Sequence, residues 1–211
     1  MKKLSFIFIA IIATSCVAML TSPATYKVGL IEVERPEDAT IRYGDYRINN
    51  VMEDSKSKYT YEDELMKISW FVGSTQFSFV LENKSNQTLK INWDEAAYIT
   101  HTGSTERIMH SGVKYTEKNN SQPASIVVKN GHITDLIMPT SNVYYVSGQY
   151  GGWRETPLFL IVKSDIEKNA ALETYKDKKV KVLLPIEVEG VVNEYIFSFE
   201  VEDIILSSTA Y

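Results

Sequence analysis

The three histidines are the side chains of this sequence best suited to metal binding or acid–base catalysis. They are His101, His110 and His132, and no two of them have the i, i+4 spacing or the HExxH frame of a helical zinc site. A hairpin turn at 102–104 would bring His101 and His110 within about 5 Å of each other across two strands. A shared metal or catalytic role would then make the chain a hydrolase of unfamiliar design. The simpler interpretation is a pair of exposed polar strand residues.

Other catalytic patterns are missing from the sequence. There is no Gly-x-Ser-x-Gly motif, and Ser111 is next to His110 only in the chain, whereas catalytic triads are assembled by geometry. Asp94 and Glu95 are neighbours that would point to opposite faces of a strand, so we interpret them as a solvated strand end. We therefore expect a protein that is not an enzyme, with no catalytic residue, no metal and no cofactor.

The most unusual loop is the glycine-rich, aromatic segment 148–153. It lacks the lysine and the helix start of a phosphate-binding loop. Tyr150 and Trp153 are instead candidate ligand-binding residues, because aromatic side chains on a loop can stack on sugar rings or anchor a partner. Tyr144 and Tyr145 lie just upstream. The alternative is that Trp153 folds back as a lid on the end of the domain.

The only cysteine, Cys16, follows an N-terminal segment with the layout of a secretory signal. Two lysines precede an apolar run over 4–13, and two small polar residues follow it. The run is shorter than the roughly 20 apolar residues of a membrane-spanning helix, so an uncleaved anchor is a second choice. We predict a signal peptide over 1–15 and a short tether over 16–25.

The small residues before Cys16 resemble the lipobox of bacterial lipoproteins. That resemblance implies that the thiol receives a diacylglycerol and becomes the new N-terminus, with palmitate-type chains holding the mature protein on a membrane. One myristoyl chain holds a protein only marginally, whereas two or three chains hold it firmly. The alternative is an incidental cysteine in an ordinary signal that is cleaved after Ala18 or Ala24.

The charge balance narrows the choice of partners. Removing 1–15 takes Lys2 and Lys3 from the 22 basic residues and changes the formal net charge from −5 to −7. An acidic chain is a poor ligand for nucleic acid, because binding to phosphates depends on clustered Lys and Arg. With no cysteine left to form a disulfide, stability must come from a hydrophobic core, and a chain of this length can bury one.

Alternation of apolar and polar residues dominates the rest of the chain. It is clearest in 76–82 and 197–201, and many short strands of this kind separated by turns are typical of an antiparallel, Ig-like β-sandwich. Only 164–178 favours a helix, with Ser164 or Asp165 as its cap. No change in composition divides 26–211, so we predict one all-β domain with one short helix. Its further predicted strands are 27–33, 40–48, 65–72, 89–93, 97–100, 107–110, 125–128, 133–138, 142–146, 158–163 and 180–188.

Turn residues separate these strands. Asn130-Gly131 is the strongest hairpin signal, and Glu189-Gly190 and the turn at 102–104 also have residues that tolerate positive φ. The polar segment 54–58 is the best candidate for a linker, although it is short enough to be a plain loop.

The stretch FSFVLENKSNQTLKINWDEAAYITHTG, residues 77–103, carries a family likeness. A strand ends in Asn-x-Ser, a turn follows, and the next strand has alternating aliphatic residues. The stretch resembles small Ig-like envelope domains and the water-stress (WHy) sandwiches, with Lys84 where the latter usually have proline. Together with the lipobox, the whole chain resembles uncharacterised envelope lipoproteins of Gram-negative, Bacteroidetes-like bacteria. The resemblance implies a fold and a location, but no catalytic residue.

These observations predict a lipid-anchored β-sandwich of the bacterial cell envelope, on the outer membrane, that acts as a non-catalytic binding or assembly module. Its partners would be the membrane, through the anchor at Cys16, and an envelope protein or a glycan. A glycan-binding module that uses Tyr150 and Trp153 is the alternative, and the hydrolase built on His101 and His110 is the third hypothesis.

Overall fold

The computed structural model describes residues 24–53 and 56–206, and the predicted signal peptide, Cys16 and most of the tether lie outside them. The described residues form an all-β fold of antiparallel strands with little helix, as predicted. The strands are β1 (Thr25–Glu34), β2 (Arg47–Glu53), β3 (Lys56–Glu62), β4 (Met66–Val72), β5 (Phe77–Asn83), β6 (Leu89–Ile91), β7 (Ala97–Ile99), β8 (Thr105–Met109), β9 (Ser125–Val127), β10 (His132–Pro139), β11 (Val143–Val146), β12 (Gly152–Glu155), β13 (Lys179–Val188) and β14 (Val191–Ile205). The helices are α1 (Ala39–Tyr43) and α2 (Asp165–Tyr175).

Twelve of the described strands form one continuous sheet that folds over on itself. Its order is β1-β14-β13-β7-β8-β10-β5-β4-β3-β2, and β6 and β9 branch from β13. The two layers are joined where β8 pairs with β10 through Met109 and Met138. Because the layers are hydrogen-bonded at this edge, the sandwich is nearly closed.

The core between the layers is mainly aromatic. The ring of Trp70 on β4 lies 5.1 Å from that of Phe79 in its own layer. Across the sandwich it lies 5.0 Å from Phe197 and 5.5 Å from Phe199, both on β14. All four rings are buried. The period-two pattern seen in the sequence therefore places one face of β5 and β14 inside the protein.

A side-chain hydrogen bond joins the two layers at the open edge of the sandwich, and it passes directly over a glycine. A bulge between Lys27 and Val28 leaves Glu202 outside the regular pairing of β1 with β14. The Glu202 carboxylate accepts a hydrogen bond of 2.6 Å from the hydroxyl of Tyr59 on β3. A Cβ on Gly29 would collide with that carboxylate, so the bridge needs a residue without a side chain there.

A buried carboxylate, Asp63, organises the turn between β3 and β4. One oxygen accepts the backbone N–H groups of Leu65 and Met66, at 2.9 Å each. The other accepts the hydroxyl of Tyr61 at 2.5 Å and lies 3.6 Å from Arg35 Nη1. Burial is the main cause that raises the pKa of Tyr61 far above its ordinary value, and the Asp63 charge adds to it.

The neighbouring carboxylate, Glu62, lies at the surface instead. It accepts hydrogen bonds of 2.8 Å from Lys84 and 2.8 Å from Arg47. These two contacts, that from Lys84 first, lower the pKa of Glu62 to about 2. Two adjacent carboxylates therefore sit in opposite environments.

Several predicted elements differ from the structure. The strand predicted over 40–48 is wrong in its first part, because α1 forms there from a turn in which Ala39 N–H bonds Pro36 O. Arg42 of α1 then reaches Asn193 Oδ1, 2.6 Å away and distant in sequence. No strand forms over 158–163, and the candidate linker at 54–58 runs into β3, with 54 and 55 outside the described residues.

Two predicted turns have different outcomes. Glu189 and Gly190 join β13 to β14 with positive φ angles of 51° and 81°, as a hairpin requires. Asn130 also has a positive φ, 56°, but the Asn130-Gly131 hairpin is wrong. The strands on either side of this turn pair elsewhere, since β9 pairs with β6, and β10 pairs with β5 and β8.

In the stretch 77–103, which carries the family likeness, the strands on either side of the turn also pair with other strands. Its two leading strands, β5 and β6, do not pair, because β6 pairs with β13 and β9. The Asn-x-Ser turn therefore crosses between branches of the sheet. The buried side chain of Asn83 donates to Gln87 O and Val127 O at 2.7 and 3.0 Å, and accepts the Ser85 hydroxyl at 2.8 Å.

Candidate functional site

A two-stranded hairpin stands apart from the large sheet. It consists of β11 and β12, which pair only with each other, from Val143 with Glu155 to Val146 with Gly152. The turn between them needs glycine, because a Cβ on Gly151 would lie 2.5 Å from Val146 O. Sequence analysis predicted β11 and treated 148–153 as a loop. It missed that Trp153 and Glu155 alternate with Arg154 as in a strand.

One face of this hairpin is attached to the sandwich. Trp153 is half-buried against a small second core of Met109, Met138 and Val143. Its ring lies edge-on to Tyr115, at 5.7 Å, and to Tyr145, at 5.5 Å. Trp153 therefore folds back onto the domain, which is the second of the two arrangements considered from the sequence.

Polar contacts also fix this hairpin at its base. The hydroxyl of Tyr115 donates a short hydrogen bond to Glu155, and this contact is the main cause that raises the pKa of Tyr115. The ammonium of Lys118 donates to Thr140 O at 2.7 Å and also to Val143 O. The hairpin is therefore attached by its aromatic face and by the end at which β11 begins.

The opposite face and the tip of the hairpin are open to solvent. Tyr144 and Val146 on β11 are exposed there, and Tyr150 at the tip is 84% exposed. Tyr145 lies on the attached face, opposite Trp153 in the strand pairing, but its side chain is exposed too. Arg154 Nη2 donates a 3.0 Å hydrogen bond to Tyr150 O and ties the tip to β12. Three exposed tyrosine rings, each apolar with a polar end, therefore surround this hairpin, with Tyr144 on its open face, Tyr145 beside Trp153 and Tyr150 at its tip. We name this set, Tyr144, Tyr145 and Tyr150, the tyrosine hairpin.

A second candidate site surrounds His110. Its ring stacks on Trp93, with centroids 4.3 Å apart and planes at 4°. His110 Nδ1 lies 3.2 Å from Asp135 Oδ2, and both side chains are largely buried. Asp135 Oδ1 accepts the backbone N–H groups of Ser111 and Leu136 at 2.8 Å each. The carboxylate therefore orients the imidazole.

The cleft beside His110 has a volume of about 460 Å³ and a polar lining that includes Ser111, Glu117 and Gln122. Asp94 holds one wall, accepting Gln122 N–H at 3.1 Å and the hydroxyl of Ser121. The Ser121 contact is the largest cause that lowers the pKa of Asp94. Among the described residues, Asp135 is the only side chain that hydrogen-bonds to the imidazole of His110, so no serine completes a triad.

The pairing of His101 with His110 is wrong. The β7–β8 register pairs Ile99 with Thr105 and Ala97 with Arg107, so His101 falls in the turn and His110 lies beyond the paired residues. His101 instead lies edge-on to Tyr175, 4.9 Å away. Burial lowers the pKa of His101, and the charge of Lys178 adds to that effect. The contact between His110 and Asp135 had no signal in the sequence, because 24 residues separate them.

The chain was compared with protein-family models, with curated proteins and with solved structures, and none of them matches it. In residues 24–53 and 56–206, no three His, Cys, Asp or Glu side chains lie close enough to hold a metal ion. Over the same residues, no helix has the length and apolar character needed to cross a bilayer.

Proposed function

We propose that this chain is a lipid-anchored protein of the bacterial cell envelope and a non-catalytic binding module that recognises another envelope protein through the tyrosine hairpin. The observation that carries the proposal is the exposure of Tyr144, Tyr145 and Tyr150 on a hairpin that Trp153 packs onto the sandwich. The lipid anchor is supported by the sequence around Cys16.

The composition of the hairpin favours a protein partner. Tyr, Trp and Arg are the residues that most often dominate the binding energy of protein interfaces. Here Arg154 pairs with Tyr144 and hydrogen-bonds to the backbone of Tyr150. Trp153 packs the hairpin against the second core. Buried tyrosines in an interface gain from ring contacts while the hydroxyl keeps a hydrogen bond.

The attachment of the hairpin favours tight recognition. Binding costs free energy when a mobile segment has to become ordered, and a segment already held in place avoids most of that cost. Trp153, the hydrogen bond from Tyr115 to Glu155 and the contacts of Lys118 hold the hairpin before any partner arrives. The tyrosine hairpin is therefore preorganised.

Site-specific photo-crosslinking in cells tests the protein partner. A photoreactive amino acid replaces Tyr150, 84% exposed, and a matched control replaces Ile41 of α1, 89% exposed. We expect one protein to be crosslinked from position 150 and from position 144, but not from position 41. An identical adduct pattern from positions 150 and 41, or no adduct from 150 and 144, would overturn the protein-binding role.

Binding of a glycan is the second candidate, and the exposure of Tyr150 favours it. A ring open on its face can stack on a sugar. A glycan array probed with the wild-type protein, Tyr150→Ala and Trp153→Ala decides between the candidates. Binding that is lost in Tyr150→Ala supports a glycan site, whereas binding unchanged in both variants places any such site elsewhere.

Metabolic labelling tests the anchor separately. Cells fed a palmitate analogue should label the wild-type chain, and Cys16→Ala should abolish the label. The variant Cys16→Ser is the conservative control, because it keeps the size of the side chain and removes only the thiol. Label that persists in both variants contradicts acylation at Cys16.

A further inference from the structure

Exposed apolar side chains surround the point at which the chain enters the domain. Tyr26, the second residue of β1, pairs with Ile204 at the end of β14. Its hydroxyl donates a 2.8 Å hydrogen bond to Leu160 O, and its ring stacks on Phe159 with centroids 4.8 Å apart. Segment 157–163 therefore lies against the start of β1.

This segment is fixed so that two of its apolar side chains face outward. Phe159 and Val162 are buried, whereas Leu160 and Ile161 between them are exposed. The backbone of Leu160 is held at both ends, because its N–H donates to the hydroxyl of Tyr175 at 2.9 Å and its carbonyl accepts from Tyr26. Burial is the main cause that raises the pKa of both tyrosines, so both hydroxyls keep their protons at neutral pH.

Helix α2 ties this region to the end of β14. Lys168 of α2 forms a 3.0 Å ion pair with Asp203 of β14. Asp203 pairs with Lys27 next to the start of β1, and Ile205, also exposed, pairs with Thr25. We name the three exposed residues Leu160, Ile161 and Ile205 the tether-side patch.

The length of the chain before β1 limits what can cover this patch. Residues 17–24 separate Cys16 from Thr25, and at about 3.6 Å per residue they span at most roughly 30 Å. An acyl group on Cys16 therefore keeps the start of β1, and the patch around it, close to the bilayer. Exposed aliphatic side chains held near a membrane can enter the boundary between headgroups and acyl chains.

We propose that the tether-side patch docks on the lipid surface and fixes the orientation of the domain on the membrane. The inference rests on the proposed anchor at Cys16. The charged residues next to the patch are of both signs, Lys163 and Lys168 beside Asp165 and Glu167. Docking is therefore driven by apolar contact and persists on zwitterionic phosphatidylcholine, with little dependence on salt.

Quenching of a fluorescent probe by spin-labelled lipid tests this docking. Ile161→Cys and the control Ile126→Cys are purified from membranes as acylated full-length protein, labelled with NBD and placed in phosphatidylcholine vesicles. The lipids carry nitroxide near the top of their acyl chains. The two positions are matched, since each isoleucine is 62% exposed. With Cys16 acylated, the introduced cysteine is the only free thiol.

The control position lies at the other end of the fold. Ile126 pairs with Lys90, which pairs with Glu187, which pairs with Val192. Val192 is 13 residues from Ile205 along β14, or roughly 40 Å at the rise of a strand. A probe at Ile126 therefore stays in water when the tether-side patch touches lipid.

The expected result is loss of most NBD fluorescence at position 161, a similar loss with Leu160→Cys, and no loss at position 126. Near-UV circular dichroism identical to wild type confirms that each variant is folded. Acylated protein in which the probes at 160 and 161 are quenched no more than the probe at 126 overturns the docking and leaves the anchor standing. A mass spectrum without an acyl group on Cys16 overturns the anchor and the docking together.

Discussion

Removing the Trp153 side chain should release the hairpin of β11 and β12 without unfolding the sandwich. Trp153 is the large side chain of β12 that packs this hairpin against the second core, to which β11 contributes Val143 and the sandwich contributes Met109 and Met138. A two-stranded hairpin is marginally stable by itself. Since β11 and β12 pair only with each other, Trp153→Ala should leave them without sufficient support.

The size of the effect follows from the burial of Trp153. Replacing a fully buried Trp with Ala costs about 3–5 kcal/mol. Trp153 is only half-buried, so we expect about 2 kcal/mol, which includes the loss of its two edge-on ring contacts. If this loss falls on local opening of the hairpin, amide hydrogen exchange there accelerates about 30-fold.

Hydrogen exchange followed by NMR or mass spectrometry measures this directly. The amides of β11 and β12 should accelerate in Trp153→Ala, while those of β14 should not change. Tyr150→Ala is the control, since its ring is 84% exposed and its loss should leave every rate unaltered. Acceleration of less than about threefold, or equal acceleration in both variants, would refute the view that Trp153 holds the hairpin in place.

Three further predictions concern the fold. Asp63→Ala should lower the free energy of unfolding in denaturant by about 3–5 kcal/mol, because the largely buried Arg35 loses its carboxylate partner. Glu62→Ala should lower it by about 1 kcal/mol or less. Equal losses would contradict the different roles given to these two carboxylates. Because the folded pKa of Glu62, about 2, lies below its unfolded value of about 4.3, its contribution is present above about pH 4.5 and lost as pH falls towards 2. Glu62→Gln should therefore lose less free energy of unfolding than the wild type over that pH interval. The same pH profile of stability in both proteins would contradict this prediction. Gly29→Val should lower the unfolding midpoint by displacing Glu202, and an unchanged midpoint would show that the bridge is not needed.

Local patterns in the sequence predicted the strands in which alternate residues form one buried face. The alternation in β5 and β14 was visible because Phe77, Phe79, Phe197 and Phe199 all point into the core. The helix at 164–178 was predicted from two candidate caps, Ser164 and Asp165, and from the helix-forming residues that follow them. In the structure Ser164 is the cap, and its Oγ accepts the Glu167 N–H at 3.3 Å.

Elements that depend on distant partners were not predictable in this way. Helix α1 is stabilised in part by the contact of Arg42 with Asn193, and the strand signal over 40–48 carries no information about that contact. Asn130 adopts the left-handed conformation that its type predicts, yet the pairing of the strands on either side of it is decided by the rest of the sheet.

The candidate site also has features that the sequence predicted and features that only the fold reveals. Tyr150 and Trp153 were singled out by residue type, but their different roles follow from burial, which only the fold determines. The orientation of His110 by Asp135 joins two segments that are separate in the chain and adjacent only after β8 and β10 pair. Neither the sequence pattern nor the turn signals carry that information.

The measurement that tests the account most directly is the mass of the N-terminal peptide of the mature protein isolated from membranes. We predict a peptide that begins at Cys16 and carries a diacylglycerol and fatty acyl groups. A mature N-terminus downstream of Cys16, or a chain that keeps Cys16 as a free thiol, would contradict the lipid anchor and the membrane docking that depends on it.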